Sequence, residues 1–167
     1  LPATWGCLGA DALDVVAEWA AADPWERRGI GDRFADWARD HLPLVHAERA
    51  CLEAALVHVE APDLAARALD GLAPRSGERR RSRHVRVVQV SHDVAADPDA
   101  PGTGEPLDGP TWLAVVRDLD GGREVLALTD AQGVVLADDG VVEPEPGDPE
   151  LGVLDEAGLL APVAWSS

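Results

Sequence analysis

Near residue 80 the apolar residues of this chain change their spacing, and that change bounds the fold more tightly than any single motif. Before it, Leu8, Ala12, Val15/Val16 and Trp19 recur at helical intervals, and Asp23-Pro24 stops the run. Ile30, Phe34, Trp37 and Leu42 mark a second short helix with Asp32 as its expected N-cap. Pro43 suits the first turn of a third helix striped by Val45, Leu52, Ala55/Leu56 and Val59, which Ala61-Pro62-Asp63 stops. A short fourth helix is expected over Leu64 to Asp70, closed by Gly71. Beyond the change, Val85, Val87/Val88 and Val90 read as a strand. Thr111 to Arg117 reads as a second, and Asp120-Gly121-Gly122 as a hairpin turn into Glu124 to Leu128. Thr129-Asp130 is placed to start a helix through Ala137, although Gly133 weakens it. Asp148-Pro149-Glu150 starts another with Leu151, Leu154 and Leu159, Gly158 ends it, and Ala161 to Trp165 is a closing strand.

The expected fold class is therefore α+β. A helical domain spans residues 1–73, and a linker of Pro, Ser, Gly and Arg spans 74–83. A small winged-helix-like domain with a hairpin and antiparallel sheet spans 84–167. Asp97 to Pro110 and Glu143 to Gly147, rich in Pro, Gly and acids, are expected loops.

Charge limits the partners. Residues 1–83 hold fourteen acids and eleven arginines, a net of −3; residues 84–167 hold seventeen acids against Arg86, Arg117 and Arg123, a net of −14. Binding to DNA releases counterions only where cations meet phosphate, so the second half disfavours nucleic acid, and a peptide or protein is the better ligand. All fourteen basic residues are Arg, a bias that fits GC-rich coding and carries no function. No stretch approaches the ~20 apolar residues of a membrane span. The first 22 residues lack the basic start of a signal peptide. A cytoplasmic location is expected. The chain starts at Leu1 and contains no Met, and the expectation is that its native start lies upstream.

No catalytic constellation emerges. There is no Gly-rich loop between strand and helix, no Cys-x-x-Cys and no His-Glu-x-x-His. Cys7 and Cys51 are expected to be thiols rather than a disulfide framework. Among His41, His46, His58, His84 and His92, the two on one helix, His46 and His58, lie about three turns apart and cannot share an ion unaided. Ser91-His92-Asp93 holds triad residue types, but strand neighbours point to opposite faces. The acids Asp138, Asp139, Glu143, Glu145, Asp148 and Glu150 lack EF-hand spacing. No catalytic residue, metal ligand or cofactor is expected.

Two features carry more. Trp5, Trp19, Trp25 and Trp37 crowd the first forty residues, either as core or as part of a protein interface. The hairpin offers an edge strand whose backbone can accept a guest strand.

The order Leu8-Gly9-Ala10-Asp11-Ala12-Leu13, Phe34-Ala35-Asp36-Trp37, His41-Leu42-Pro43 and Leu52-Glu53-Ala54-Ala55 resembles the core of a bacterial helical domain. That domain was once grouped with DNA-binding proteins. It is now associated with partner subunits of multinuclear non-heme iron oxidative enzymes. Those enzymes modify ribosomally made peptides, methanobactin-type precursors among them. Trp112 to Arg117, Asp120 to Arg123 and Leu126 to Leu128 are similar to the C-terminal hairpin of those proteins, and Leu154 to Leu160 to the end of a winged-helix-like unit. The family's opening helices, with a Tyr-Arg-Asn motif, have no counterpart here, and Ala54 stands where an aromatic is usual.

The resemblance implies a non-catalytic subunit. Its sheet would bind the leader of a precursor peptide, with Trp112, Val115, Arg117, Arg123 and Val125 in contact. Its helical half would dock on a barrel-shaped iron enzyme, with Trp25, Trp37, Arg79 and Arg80 at the interface, and the iron would belong to that partner. The competing readings are a winged-helix DNA-binding regulator, for which the cluster Arg79 to Arg83 leaves an opening, and a free-standing enzyme.

Overall fold

A computed structural model describes residues 1–22, 29–61, 77–95, 97, 99–118, 120–138, 141–142 and 148–163. The chain is an α+β protein with a helical N-terminal region followed by sheet. Its elements are α1 (Pro2–Leu8), α2 (Ala12–Ala22), α3 (Ile30–His41), α4 (Leu44–His58), β1 (Arg79–Arg81), β2 (Val85–His92), β3 (Pro106–Arg117), β4 (Arg123–Leu128), α5 (Asp130–Ala137), α6 (Pro149–Glu156) and β5 (Leu160–Pro162). They form two compact units, each drawn from two stretches of chain. One holds Leu1–His58 with Val88–Thr111, the other Val59–Val87 with Trp112–Ser167. The boundaries of these units cross β2 and β3 and do not coincide with residues 73 and 84.

In the first unit, Trp19, Phe34, Ala35, Ala38, Ala47, Ala50 and Ala54 form the core, with Trp5 and Trp37 packed against it. Phe34 is its hub: ring centroids lie 4.6 Å away for Trp5, 5.3 Å for Trp19 and 5.8 Å for Trp37. Of the four clustered tryptophans, Trp19 is a core residue and Trp5 and Trp37 are half-buried against the core; Trp25 lies outside the described residues. The first helical run begins earlier than the spacing predicts, because Pro2 starts α1 and Gly9, at φ 57, breaks it from α2. Asp32 is not the N-cap of α3. Gly29 occupies that position, and Asp32 stands in the first turn, where its charge favours the positive helix end. The expected fourth helix lies outside the described residues, as does the loop from Glu143 to Gly147.

In the second unit, Val85, Ala114, Leu136, Leu154, Leu159 and Leu160 form the core. The linker reading fails at its end: Arg79–Arg81 is strand β1, in antiparallel register with β5. Its outer side is also used, since the Arg79 N–H donates to the Val142 carbonyl at 2.6 Å and the Val142 N–H returns to Arg79 at 2.7 Å. Arginines can form a partly buried strand here because donors of Arg79 and Arg81 are met internally. Arg79 Nε donates to Asp155 at 3.0 Å, and Arg81 donates to the Leu136 carbonyl at 2.8 Å, near the C-terminal end of α5. Helix α5 starts at the expected place with a capping box: Gln132 N–H donates to the Thr129 hydroxyl, and Thr129 N–H to the Gln132 side chain. Asp148 caps α6.

The second sheet has the order β2-β3-β4. The expected loop up to Pro110 is shorter than predicted, because β3 already begins at Pro106. In the first unit the chain returns from β2 to β3 around Asp93, whose carbonyl accepts from the Gly104 N–H at 2.8 Å. Gly102, at φ 80, lies so close to the Asp93 backbone that a Cβ has no room.

Candidate functional site

Strands β3 and β4 pair antiparallel, with Trp112 opposite Leu128, Val115 opposite Val125 and Arg117 opposite Arg123. Opposed residues share a face, and faces alternate along a strand. One face therefore carries Trp112, Ala114, Val116, Leu126 and Leu128, and it joins the core of the second unit. Trp112 belongs to that face. A Cβ on Gly133 would collide with its indole, so the ring is seated on α5 and is not held out for a ligand. The other face carries Val115, Arg117, Arg123 and Val125. Val115 is fully buried, which removes it from direct peptide contact, whereas Val125 is 42% exposed. Arg123 is exposed and Arg117 half-buried. The turn between the strands is closed by the Asp118 N–H donating to the Gly122 carbonyl at 3.0 Å. Gly121 there has φ 86.

Strand β4 is an edge of its sheet: among the described residues β3 is its one hydrogen-bonded neighbour. Arg123, Glu124, Val125 and Ala127 are exposed. Of the five hairpin residues singled out in the sequence, Arg123 and Val125 are exposed, Arg117 and Trp112 are half-buried, and Val115 is enclosed.

The expected partner interface is altered more. Arg79 is 5% exposed and bound to Asp155 within its own unit, so it does not form an outward-facing contact. Arg80 is half-buried in β1. Trp37 is half-buried: its ring packs on Phe34 and stacks on His41 at 4.5 Å and 6°. Trp25 lies outside the described residues.

Sequence reasoning missed two buried carboxylates of α4. Glu53, 3% exposed, accepts from the N–H groups of Ala3 and Thr4, both at 2.7 Å, and from the Thr4 hydroxyl. It caps α1 from another helix, supplying the anion that an N-terminus attracts. Glu48, 7% exposed, accepts from the Ser91 N–H and hydroxyl at 2.7 Å, and from the His92 N–H and Nδ1 at 3.0 Å. Ala47, Ala50 and Ala54, at i, i+3 and i+7, are a small-residue stripe on one side of α4, and that stripe gave no signal that Glu48, Arg49 and Glu53, elsewhere on the helix, are buried too. Charges buried there must be partnered.

Ser91 and His92 therefore do meet, with the Ser91 oxygen 3.1 Å from Nδ1, despite being strand neighbours. The grouping is nonetheless unsuited to nucleophilic catalysis. An ionised carboxylate only accepts, so Nδ1 carries the proton that Glu48 binds. The serine proton also goes to Glu48, and no basic nitrogen faces the hydroxyl. A triad needs acid and serine on opposite ring nitrogens. Asp93 stands apart, accepting from the Thr103 N–H and hydroxyl at 2.9 and 2.7 Å, and these bonds hold its carboxyl below the usual range. Burial, and then the neighbouring Arg49 charge, lower the His46 pKa; burial raises that of Cys51 against the opposing pull of Arg39. Among the described residues no three His, Cys, Asp or Glu side chains gather as a metal site, and no helix is long and apolar enough to cross a membrane. No protein family matches the chain, and no curated protein is detectably similar to it.

Proposed function

We propose that this chain is a non-catalytic recognition subunit that binds an extended peptide as an added strand along β4. In this reading it acts in the cytoplasm and presents the leader of a ribosomally made precursor to a multinuclear iron oxidative enzyme, which holds the metal. The observation that carries the reading is the exposed edge β4, whose outer backbone groups are a ready template for a guest strand. Two others support it. The net charge of −14 after residue 83 repels phosphate. The arginines Arg79 and Arg81, an opening for nucleic acid in the sequence, are engaged by Asp155 and the Leu136 carbonyl.

The test is affinity purification of the tagged chain from its host, with mass spectrometry of small peptides and of co-purified enzymes. It is followed by hydrogen exchange of the chain with any recovered peptide. Slower exchange of the amides from Arg123 to Leu128, together with recovery of an iron enzyme, is the expected outcome. Peptide protection confined to other elements, or recovery of DNA alone, would overturn the proposal.

A further inference from the structure

We infer that Arg117 and Arg123 form a paired clamp for a side-chain carboxylate of the guest peptide. The clamp deepens the edge-strand reading and rests on it. The two arginines are directly opposed across β3 and β4, on one face. Like charges in that position repel each other and destabilise the pair, and a folded hairpin normally relieves them with acids of its own. This one does not: among the described residues neither guanidinium has a hydrogen bond or ion pair. Arg117 Nε is moreover buried without an acceptor. A buried, charged N–H without an acceptor is costly, and such groups are almost always satisfied.

Acids are plentiful in this half of the chain, so an unanswered cation pair there is a specific arrangement and not a shortage of partners. Arg86 is the one other cation after residue 83, and it already has a partner. The pair adjoins the start of the exposed edge, and Val125, exposed on the same face, is the next outward position along β4. A guest strand lying along β4 brings every second side chain to that face. One carboxylate at the turn end, with an apolar residue two places on, matches Arg117/Arg123 and Val125. Two guanidinium forks can bind one carboxylate through charge-assisted hydrogen bonds. A polyanion such as nucleic acid gains the same contacts but meets the surrounding −14 charge. The ligand class is therefore an extended segment bearing an isolated Glu or Asp.

The probes are two synthetic peptides, acetyl-Ser-Val-Ser-Glu-Ser-Val-Ser-amide, with valine two places to either side of the glutamate, and its Gln twin. Each is titrated into the intact protein, and the backbone amide signals of residues 123–128 and the arginine Nε–H signals are followed by NMR. The Glu peptide is expected to bind about tenfold tighter than the twin, with a shift at the exposed Arg123 Nε–H. The difference should collapse in Arg123→Gln, a change at an exposed position, and in Arg117→Gln. Equal binding of both peptides along β4 would overturn the clamp and leave the edge reading standing. No perturbation of β4 by either peptide at millimolar concentration would overturn both. Concentration-dependent self-association that occupies β4 without peptide would make a second copy the occupant, and the proposal would fall.

Discussion

Gly133 shows how a single residue can invert a propensity argument. Glycine inside a helix costs about 1 kcal/mol relative to alanine, so Gly133→Ala would stabilise α5 if propensity decided. Packing decides instead, because the Trp112 indole occupies the place of the missing Cβ. Overpacking of this kind costs about 1–3 kcal/mol. Gly133→Ala is therefore expected to lower stability by about 1 kcal/mol net in urea titrations; a gain in stability would show that Trp112 moves aside freely. Glu48 makes the complementary case for a polar residue. It gathers four donors from Ser91 and His92 around one buried carboxylate. In Glu48→Gln an amide NH₂ must face some of those donors, and at least two lose their acceptor. The expected loss is about 2–4 kcal/mol by chemical denaturation, with amide exchange accelerating at Ser91 and His92. A loss under about 0.5 kcal/mol would mean that solvent already satisfies these groups.

At the scale of elements, β1 is the piece that composition disguised. Three consecutive arginines after Pro, Ser and Gly read as a linker, since no strand propensity marks them. What makes them a strand is remote: Asp155 on α6, the Leu136 carbonyl of α5, and pairing with β5. Arg79→Leu leaves Asp155 without its 3.0 Å partner in a partly buried site. It should cost about 1–3 kcal/mol, discounted because the aspartate keeps some access to water. Arg79→Leu combined with Asp155→Leu should recover most of that loss in a thermodynamic cycle; additive losses would show no coupling between the two. The same contrast explains what was legible. Helices α3, α4 and α5, the hairpin and the α6 start were readable because periodicity, capping residues and Gly-rich turns are local signals. The role of Glu48, the enclosure of Val115 and the seating of Trp112 on Gly133 were not. They depend on residues tens of positions away, and no local pattern encodes which partner arrives. Within the hairpin, the two strands and their turn were legible, and which face is closed was not.

For the whole molecule the governing quantity is the net charge of −17. Such an excess repels itself in the compact state more than in the expanded one, so folding works against it. Added salt shortens the range of that repulsion, from a Debye length of about 30 Å at 10 mM to about 8 Å near 150 mM. Salt also weakens attractive pairs, which sets the sign in competition. The attractive contacts named above among the described residues are poorly screened or contribute little. Glu48 and Glu53 are buried among their donors, and Arg79 is 5% exposed. The surface contact between Asp36 and Arg39 has side chains 73% and 62% exposed, and a pair so open to water adds little. Repulsion is therefore the part that salt changes most. The melting temperature is expected to rise by several degrees as NaCl increases from about 10 to about 300 mM, with most of the gain before about 150 mM. KCl should act equally, because the effect is screening and not ion binding. A melting temperature that falls with salt would show that the arginines stabilise the fold mainly through screened surface pairs, and the unanswered positive charge at Arg117 and Arg123 would then need another explanation.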